Sequence, residues 1–437
     1  MERFLLLLLI LSTWAVIITV GRFIPWTSAL ILLFLIMISY MTVVSMAMAY
    51  QKRKERKKPT PQNTDYLPKV SVLLPAHNEE AVIARTVEVL MNLDYPNYEL
   101  LVIDDRSEDG TAQKLIELNK QYNSGANSDH KYRYLIRQSS ATPGKSAVLN
   151  EALTLTDGDV VAVFDADAKV APDFLRAIMP FLADDCVGGA QARKVMFNAD
   201  QNLLTRCQNY EYSMDSYFQC GRDTIRGAVE FRGNGQLVKR KALESVGGWN
   251  EQTLTDDLDL STRFHIAGWD IRFAHKVLVF EEAIPKFPAL LRQRRRWAEG
   301  SLTRYLEYAY GVLTSDKASL LAKADLVAYI IEFLFPLWLI SDFLYLGILE
   351  LVGEAHQWHV LSSLMLLPFL SVFFYSMLFI AIVRFNRTGL WRAPIRAFMT
   401  SIYLTAVWVP VSSWVMTKML LQKERSMHWG KTEHFGT

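Results

Sequence analysis

Apolar residues are concentrated at the two ends of this 437-residue chain, and that distribution restricts its architecture more than any other feature. Two almost unbroken apolar stretches, residues 4–20 and 24–50, open the sequence. Each is near the roughly 20 residues that a helix needs to cross the hydrocarbon core of a bilayer. A cleaved signal peptide is the alternative, but the second stretch follows at once and no small-residue cleavage site precedes a polar segment. We therefore predict two transmembrane helices in residues 1–50.

A cluster of six basic residues follows the second apolar stretch and indicates the orientation of the chain. Basic residues beside a membrane span are retained on the cytoplasmic side. Prolines follow the cluster, so residues 51–68 are predicted to form a basic cytoplasmic linker. The members of the cluster are Lys52, Arg53, Lys54, Arg56, Lys57 and Lys58.

Apolar character returns in residues 316–425, which we predict to be a C-terminal transmembrane region followed by a tail, residues 426–437. The loop at 353–359 has no Lys or Arg, whereas the loop at 384–396 has four Arg, so the first is predicted outside and the second inside. A third full span would leave the basic tail outside. One apolar stretch is therefore predicted to be interfacial or re-entrant, and the sequence leaves open which one. The three stretches are residues 326–351, 360–383 and 398–421.

The middle of the chain, residues 69–284, has the pattern of a soluble α/β domain. Short apolar strands alternate with segments of helical periodicity, which predicts a mostly parallel sheet covered on both faces. Such sheets bind ligands at the carboxyl ends of their strands. The predicted strands are residues 70–74, 98–103 and 159–164, and the predicted helices are residues 80–91, 111–119 and 145–155.

Charge and cysteine content argue against two classes of function. The formal net charge is only +2, so the chain has no overall basic field, and we expect no nucleic-acid partner. The three cysteines, Cys186, Cys207 and Cys220, have no CxxC spacing. This pattern argues against a thiolate metal site and favours a reducing compartment.

Acidic and polar residues follow the ends of the three predicted strands. A polar stretch, residues 77–80, follows the first strand, Asp104 and Asp105 end the second, and Asp165 and Asp167 follow the third. Because the topology brings neighbouring strand ends together, we expect one shared site. Two carboxylates one residue apart are typical of Mg²⁺ sites that also bind substrate phosphates. Asp165 and Asp167 are therefore predicted metal ligands, with Mn²⁺ as the alternative ion.

Two further segments carry groups that suit transfer chemistry. Lys145 opens a predicted helix, where its amine can lie near a phosphate or simply be solvated. Asp256, Asp257 and Asp259 are crowded into four residues, and mutual repulsion raises the pKa of at least one of them, which favours a general base. A helix N-terminus is the alternative explanation, since acidic residues are also favourable there, and both can hold.

Residues 285–315 are predicted to form an amphipathic interfacial helix. Three consecutive arginines lie next to Trp297 in this segment. They suit contact with anionic lipid headgroups, and they equally suit binding of a diphosphate through guanidinium groups. The sequence alone leaves both interpretations open.

Taken in order, these motifs resemble the membrane-integrated family 2 glycosyltransferases. The resemblance covers about residues 70–300. It implies an α/β GT-A (Rossmann-like) cytoplasmic domain with N- and C-terminal transmembrane helices, a UDP-sugar donor and a divalent metal ion. The family motifs are an early Asp pair, a DXD motif, a TED-like motif and a QxxRW motif. Here they are Asp104 and Asp105; Asp165 and Asp167; Thr255, Asp256 and Asp257; and Gln293, Arg296 and Trp297.

The resemblance also implies a role for each candidate residue. Asp105 contacts the uracil, whereas Asp165 and Asp167 hold the nucleotide and the metal ion. Asp257 is the catalytic base. Asp256 replaces the Glu of the TED-like motif, so it stays open as the alternative base. The other candidates for nucleotide-sugar binding are Ala76, Asn78, Glu79, Lys145, Gln293, Arg296 and Trp297, and the acceptor-side candidates are Asn234 and Gln236.

Longer strings resemble one branch of this family, the cyanobacterial β-monoglucosyldiacylglycerol synthases. They are residues 78–83, 164–170, 232–236, 247–260 and 296–300. That branch transfers glucose from UDP-glucose to the membrane lipid diacylglycerol with inversion. The resemblance implies a multi-pass enzyme of the cell or thylakoid membrane, with its catalytic domain in the cytoplasm. Two alternatives stay open: a processive polysaccharide synthase of the cellulose, hyaluronan or poly-N-acetylglucosamine type, and an inactive membrane receptor or scaffold.

Overall fold

A computed structural model describes residues 65–123, 131–328, 375–386 and 389–421, together with a few short pieces elsewhere. The predicted N-terminal transmembrane helices and the basic cluster of the linker lie almost wholly outside these ranges. Most of the apolar stretches at residues 326–351 and 360–383 also lies outside them.

Eight strands of the described residues form one sheet. They are β1 (Val70–Ala76), β2 (Tyr98–Asp104), β3 (Tyr132–Ile136), β4 (Val160–Val163), β5 (Lys169–Val170), β6 (Val187–Met196), β7 (Gln236–Lys239) and β8 (Asp270–Glu281). Their order across the sheet is β3-β2-β1-β4-β7-β6-β8-β5.

The first half of the sheet is parallel, as the alternation of strands and helices predicts. β1 pairs in parallel with β2 and β4, and β2 pairs in parallel with β3. Every residue of β1 and of β4 is buried, which explains why both strands are apolar apart from Ser71, whose hydroxyl donates to Glu99 Oε1 at 2.9 Å. β3 was not among the predicted strands. It lies at the edge of the sheet and is only partly buried, so its sequence lacks a continuous apolar run.

The second half of the sheet corrects the predicted, mostly parallel arrangement. β7 is antiparallel to both β4 and β6, and β5 is antiparallel to β8, whereas β6 and β8 are parallel. The sheet is therefore mixed. The strand–helix alternation on which the prediction rested does not continue regularly after β4, and side-chain periodicity carries no information on strand direction.

Helices pack on both faces of the sheet, where two apolar cores lie. The first helix begins three residues later than predicted because residues 77–82 form a loop, in which the Glu79 carbonyl accepts hydrogen bonds from the amides of Val82 and Ile83. The helices are α1 (Ile83–Met91), α2 (Thr111–Asn123), α3 (Lys145–Thr154), α4 (Phe174–Ile178), α5 (Leu203–Ile225), α6 (Arg240–Ser245), α7 (Asp256–Ala267) and α8 (Phe287–Thr314).

Two apolar helices of the C-terminal region pack against this domain. They are α9 (Tyr375–Phe385) and α10 (Ala393–Leu421). Within the part of the chain that the structure describes, α10 is the one helix long and apolar enough to cross a membrane. Its inner face contacts α5 and α8 through a shared apolar cluster. Its other face exposes large apolar side chains, among them Ile395, Phe398 and Ile402.

Candidate active site

A cleft of about 340 Å³ lies beyond the carboxyl ends of β1 and β4, between α7 and α8. In the sheet, β1 lies between β2 and β4 and is parallel to both. The prediction that the carboxyl ends of these three strands lie side by side is therefore confirmed. The structure brings most of the candidate residues into this one cleft. Those that line it are Glu79, Lys145, Asp165, Asp167, Asp256, Asp257, Gln293, Arg296 and Trp297.

The remaining candidates lie behind the cleft lining and shape its loops. The Asp105 amide donates to the Ala76 carbonyl at 2.7 Å. Asn78 has a left-handed backbone, and its side-chain oxygen accepts from the Glu108 amide at 2.7 Å. Asn234 is fully buried, and its side-chain oxygen accepts from the Asp165 amide at 3.3 Å.

Gln236 is as inaccessible to solvent as Asn234 and Asp105. It is fully buried in β7, and its side-chain nitrogen and oxygen have no hydrogen-bond partner among the described residues. Its predicted acceptor-side role stays a prediction.

Asp105 is fully buried, and its carboxylate organises the loop that precedes α3. It accepts hydrogen bonds from Arg137 Nη1 at 2.7 Å, Arg106 Nε at 2.9 Å and the Gly144 amide at 3.1 Å. Because Gly144 immediately precedes Lys145, this carboxylate fixes the point from which the lysine enters the cleft. The predicted contact of Asp105 with uracil stays a prediction.

Lys145 brings a cation between two of the acidic motifs. Its Nζ donates to Asp165 Oδ1 at 2.6 Å and lies 4.0 Å from Asp256 Oδ2. Burial on its own lowers the pKa of Lys145, but the attraction of Asp165 and Asp256 outweighs it and raises the pKa above its ordinary value. The ammonium group is therefore charged at neutral pH.

The TED-like motif opens a helix, as its sequence suggested, because α7 begins at Asp256. Asp257 is half-buried in the cleft, and its Oδ1 accepts from the Leu258 amide at 2.8 Å. Burial and the nearby Asp256 raise the pKa of Asp257 to about 6, although Lys145 opposes them. A carboxyl with that pKa is largely ionised at neutral pH and is still a useful proton acceptor.

Asp165 and Asp167 offer two carboxylates for a divalent ion. Asp167 is buried, and its Oδ2 accepts from the Glu282 amide at 2.7 Å. No group of three or more His, Cys, Asp or Glu side chains that can hold a metal ion occurs among the described residues. Two carboxylates nevertheless fit Mg²⁺ or a similar ion, which completes its coordination with substrate phosphates and water.

The QxxRW motif lies on α8 and faces the acidic motifs across the cleft. Burial lowers the pKa of the Arg296 guanidinium, while Asp256, Asp165 and Asp257 act in the opposite direction. The guanidinium is thus a partly desolvated cation beside three carboxylates, in a position suited to an anionic ligand.

Sequence reasoning missed a buried ion pair that joins α5, α8 and α10. Arg294 is 1% exposed, and its Nη2 donates to Glu211 Oε2 at 2.7 Å. Arg294 also donates to Gln293 Oε1 at 2.6 Å and lies 4.2 Å from the centre of the Trp297 ring. One sequence signal for the burial of Arg294 was available. It is four residues from each of the apolar residues Leu290 and Ala298, so it lies on the same, buried face of the helix.

The same carboxylate anchors the apolar helix α10. Trp408 Nε1 donates to Glu211 Oε1 at 2.8 Å, and the Tyr403 hydroxyl donates to Oε2 at 2.9 Å. Both Trp408 and Glu211 line the cleft. One wall of the site is therefore built from the helix that is long and apolar enough to cross a membrane.

A second set of charged residues missed from the sequence forms the floor of the cleft. Lys194 Nζ lies 2.8 Å from Glu281 Oε2, and Arg232 Nη2 donates to Asp215 Oδ1 at 2.7 Å. Burial on its own raises the pKa of Glu230, but three arginines around it lower the pKa to about 2. The floor is thus a network of ionised side chains rather than an apolar surface.

A mixed sheet with paired carboxylates just beyond the ends of its central strands is the architecture of a GT-A-like glycosyltransferase. The family described as Glycosyltransferase like family 2 matches residues 68–300, which is more than half of the chain. The chain belongs to this glycosyltransferase family.

Curated relatives resemble this chain over its central part. It is 49% identical over 244 residues to a β-monoglucosyldiacylglycerol synthase of Trichormus variabilis, covering 55% of this chain and 51% of that protein. It is 42% identical over 280 residues to the synthase of the same name from Synechocystis, covering 63% and 57%. A probable glycosyltransferase of Bacillus subtilis is 33% identical over 246 residues, covering 55% and 57%. The chain thus spans about half the length of the curated relatives it matches.

A solved structure shares the fold. It is a mannosyltransferase of Pyrobaculum calidifontis in complex with GDP-mannose and Mn²⁺, which is 20% identical to this chain. The match covers 90% of this chain and 100% of the mannosyltransferase, with a TM-score of 0.56.

Proposed function

We propose that the chain is an inverting glycosyltransferase that moves glucose from UDP-glucose to 1,2-diacylglycerol and forms β-monoglucosyldiacylglycerol. Two lines of support are the family and the names of the two cyanobacterial relatives. The observation that carries the transfer chemistry is the carboxyl of Asp257, whose pKa is raised to about 6 within the cleft that also holds Asp165 and Lys145.

In this proposal the donor diphosphate lies among the cationic groups of the cleft. The ammonium of Lys145 and the guanidinium of Arg296 bind it, and Asp165 and Asp167 hold Mg²⁺ or Mn²⁺ beside it. A bound divalent ion neutralises the negative charge that builds on a leaving diphosphate. The metal carboxylates face the diphosphate and are therefore not available to the acceptor.

Asp257 then acts on the acceptor side of the sugar. Its carboxylate removes the proton of the diacylglycerol hydroxyl as that oxygen bonds to the anomeric carbon, and the bond from this carbon to UDP breaks on the opposite face. Attack opposite to the leaving group inverts the configuration and gives the β-glucoside. General-base catalysis of this kind contributes typically about 10²–10⁴-fold to the rate.

A membrane location is supported by the construction of the site. α10 contributes Trp408 to the cleft wall and exposes a large apolar face on its other side. An acceptor dissolved in a bilayer can reach a cleft that is walled by such a helix. We accordingly propose a multi-pass protein of the cell or thylakoid membrane, with the catalytic domain on the cytoplasmic side where the basic linker lies.

Product analysis with purified protein tests the proposal. The protein is incubated with diacylglycerol, Mg²⁺ and a panel of radiolabelled nucleotide sugars, and the lipid extract is separated by thin-layer chromatography. We expect one labelled glucolipid, formed from UDP-glucose, and its rate of formation should be about 10²–10⁴-fold lower with the Asp257→Asn variant. Label in an insoluble polymer would instead indicate a polysaccharide synthase, and the absence of any product would contradict a transferase.

A further inference from the structure

Gly233 lies at the point of the cleft where three functional groups converge. A Cβ atom on this residue would lie 3.4 Å from Asp257 Oδ2, 3.7 Å from Lys145 Nζ and 4.0 Å from Asp165 Oδ2. These groups belong to three separate parts of the chain: the start of α7, the start of α3 and the loop after β4. The space directly above Gly233 is therefore within contact distance of all of them.

In the proposed reaction these three groups act on different sides of the anomeric carbon: one on the acceptor and two on the donor diphosphate and its metal ion. Asp257 serves the attacking hydroxyl, Lys145 the diphosphate, and Asp165 the metal ion. The anomeric carbon lies between the attacking oxygen and the diphosphate, and reacting atoms must approach to about 3–3.5 Å. We infer that Gly233 forms the floor of the subsite for the transferred hexose, and that its missing side chain leaves the room that the sugar ring occupies. This inference rests on the proposed function and adds a sugar subsite to it.

The backbone around Gly233 is held in place and cannot retreat from an added side chain. The buried Gln191 accepts from the Arg232 amide at 2.8 Å and donates to the Asn234 carbonyl at 2.9 Å. The Gly235 amide donates to the Val163 carbonyl at 3.0 Å. The segment is thus fixed to β4 and β6 on both sides of the glycine, as a binding surface requires.

Backbone conformation by itself also favours glycine here, and Gly247 separates the two explanations. Gly233 has φ +78°, and Gly247 has φ +80° in an exposed turn where a Cβ would meet no atom within 4 Å. Alanine at either position carries a similar backbone penalty. Only at Gly233 would the new methyl group enter the cleft. Its distances of 3.4–4.0 Å from the nearest side-chain atoms are ordinary van der Waals contacts, so the methyl group fits there without displacing them.

The experiment compares Gly233→Ala with Gly247→Ala in the full chain. Calorimetry with Mg²⁺ measures binding of UDP, which lacks the hexose, and of UDP-glucose. For Gly233→Ala we expect the Kd of UDP within about twofold of wild type and the Kd of UDP-glucose at least about tenfold weaker. We expect kcat/KM for transfer to fall about 100-fold, as for a misplaced reacting group. Gly247→Ala should lower the Tm similarly and leave binding and transfer unchanged.

Several outcomes would overturn the inference. The first is a Gly233→Ala protein that transfers glucose within about twofold of the wild-type rate. The second is a Kd for UDP-glucose that does not change. The third is an equal weakening of UDP binding and UDP-glucose binding, which would give the glycine a purely structural role. A loss of the same size in Gly247→Ala would do so as well. Wild-type protein that fails to bind UDP-glucose or to transfer from it would overturn the proposed function itself, and the subsite with it.

Discussion

The assignment of Asp257 as the base predicts where activity falls as the pH is lowered. Its pKa is raised from 3.8 to about 6, and only the ionised carboxylate accepts a proton. A group with that pKa is about ten parts ionised to one part protonated at pH 7, and the ratio is reversed at pH 5. We therefore expect kcat/KM at pH 5 to be about a tenth of its value at pH 7, whereas an unshifted aspartate would lose only a few per cent, on the order of 5%.

The fall in activity at low pH is the acidic limb of the pH profile, and two variants should shift it in opposite directions. Asp256 raises the pKa of Asp257, so Asp256→Asn should shift the limb to lower pH. Lys145 lowers that pKa, so Lys145→Met should shift the limb to higher pH, in addition to weakening donor binding. Asp185→Asn is the matched control, because it removes the same charge from a side chain that is 99% exposed and should leave the profile unchanged.

The assay is initial-rate transfer from labelled UDP-glucose to diacylglycerol between roughly pH 4 and pH 8, about two units on either side of the expected pKa. Asp257→Asn should lower kcat by about 10²–10⁴-fold and leave the Kd of UDP nearly unchanged, while Asp256→Asn should cost less. An acidic limb near pH 4 would refute the reasoning. So would shifts of equal sign in the two charge variants, or an active Asp257→Asn protein.

Three further predictions concern the metal, the buried ion pair and the topology. EDTA should abolish transfer and Mg²⁺ should restore it, and Asp167→Asn should lose most activity with an unchanged circular dichroism spectrum; full activity in excess chelator would contradict the metal assignment. Glu211→Gln leaves Arg294 buried without its carboxylate, so denaturant titration should show a loss of about 3–5 kcal/mol, whereas a stability equal to wild type would refute it. A cysteine at Thr60 should resist an impermeant reagent in intact cells, and labelling from outside would reverse the predicted orientation.

Local sequence patterns predicted three of the four strands in the parallel half of the sheet, and most of the residues that line the cleft. β1 and β4 are buried along their whole length, so they appear in the sequence as apolar runs that end in acidic residues. Strand direction has no such local sign, because side chains alternate in the same way in parallel and antiparallel strands. The antiparallel direction of β7 was for that reason not predictable, and neither was the entry of Gly233, which precedes this strand, into the cleft lining.

Long-range ion pairs escaped prediction for a related reason. Glu211 and Arg294 are far apart in sequence, as are Lys194 and Glu281, so no local pattern connects the two partners of either pair, although the spacing of Arg294 from Leu290 and Ala298 hints at its burial. Only the packing of α5, α8 and α10 reveals that Arg294 is buried and that Glu211 holds Trp408 in the cleft wall. The motifs identified side chains that line the cleft, and they did not identify the side chains that hold these in position.

The first turn of α7 shows how one short acidic segment acquires three different environments. Asp259 is almost completely buried and accepts hydrogen bonds from Arg263 at 2.7 Å, Tyr308 at 2.9 Å and Asn250 at 3.0 Å, so it stabilises the helix start and is not available as a base. Asp256 points about 100° away from Asp257, as the helical period requires, and lies 4.0 Å from Lys145. Asp257 has the raised pKa because burial and its neighbour Asp256 outweigh the lysine. A single helical turn thus gives three neighbouring carboxylates different environments: Asp259 is a structural anchor, Asp256 lies beside Lys145, and Asp257 has the raised pKa that the proposed proton acceptor requires.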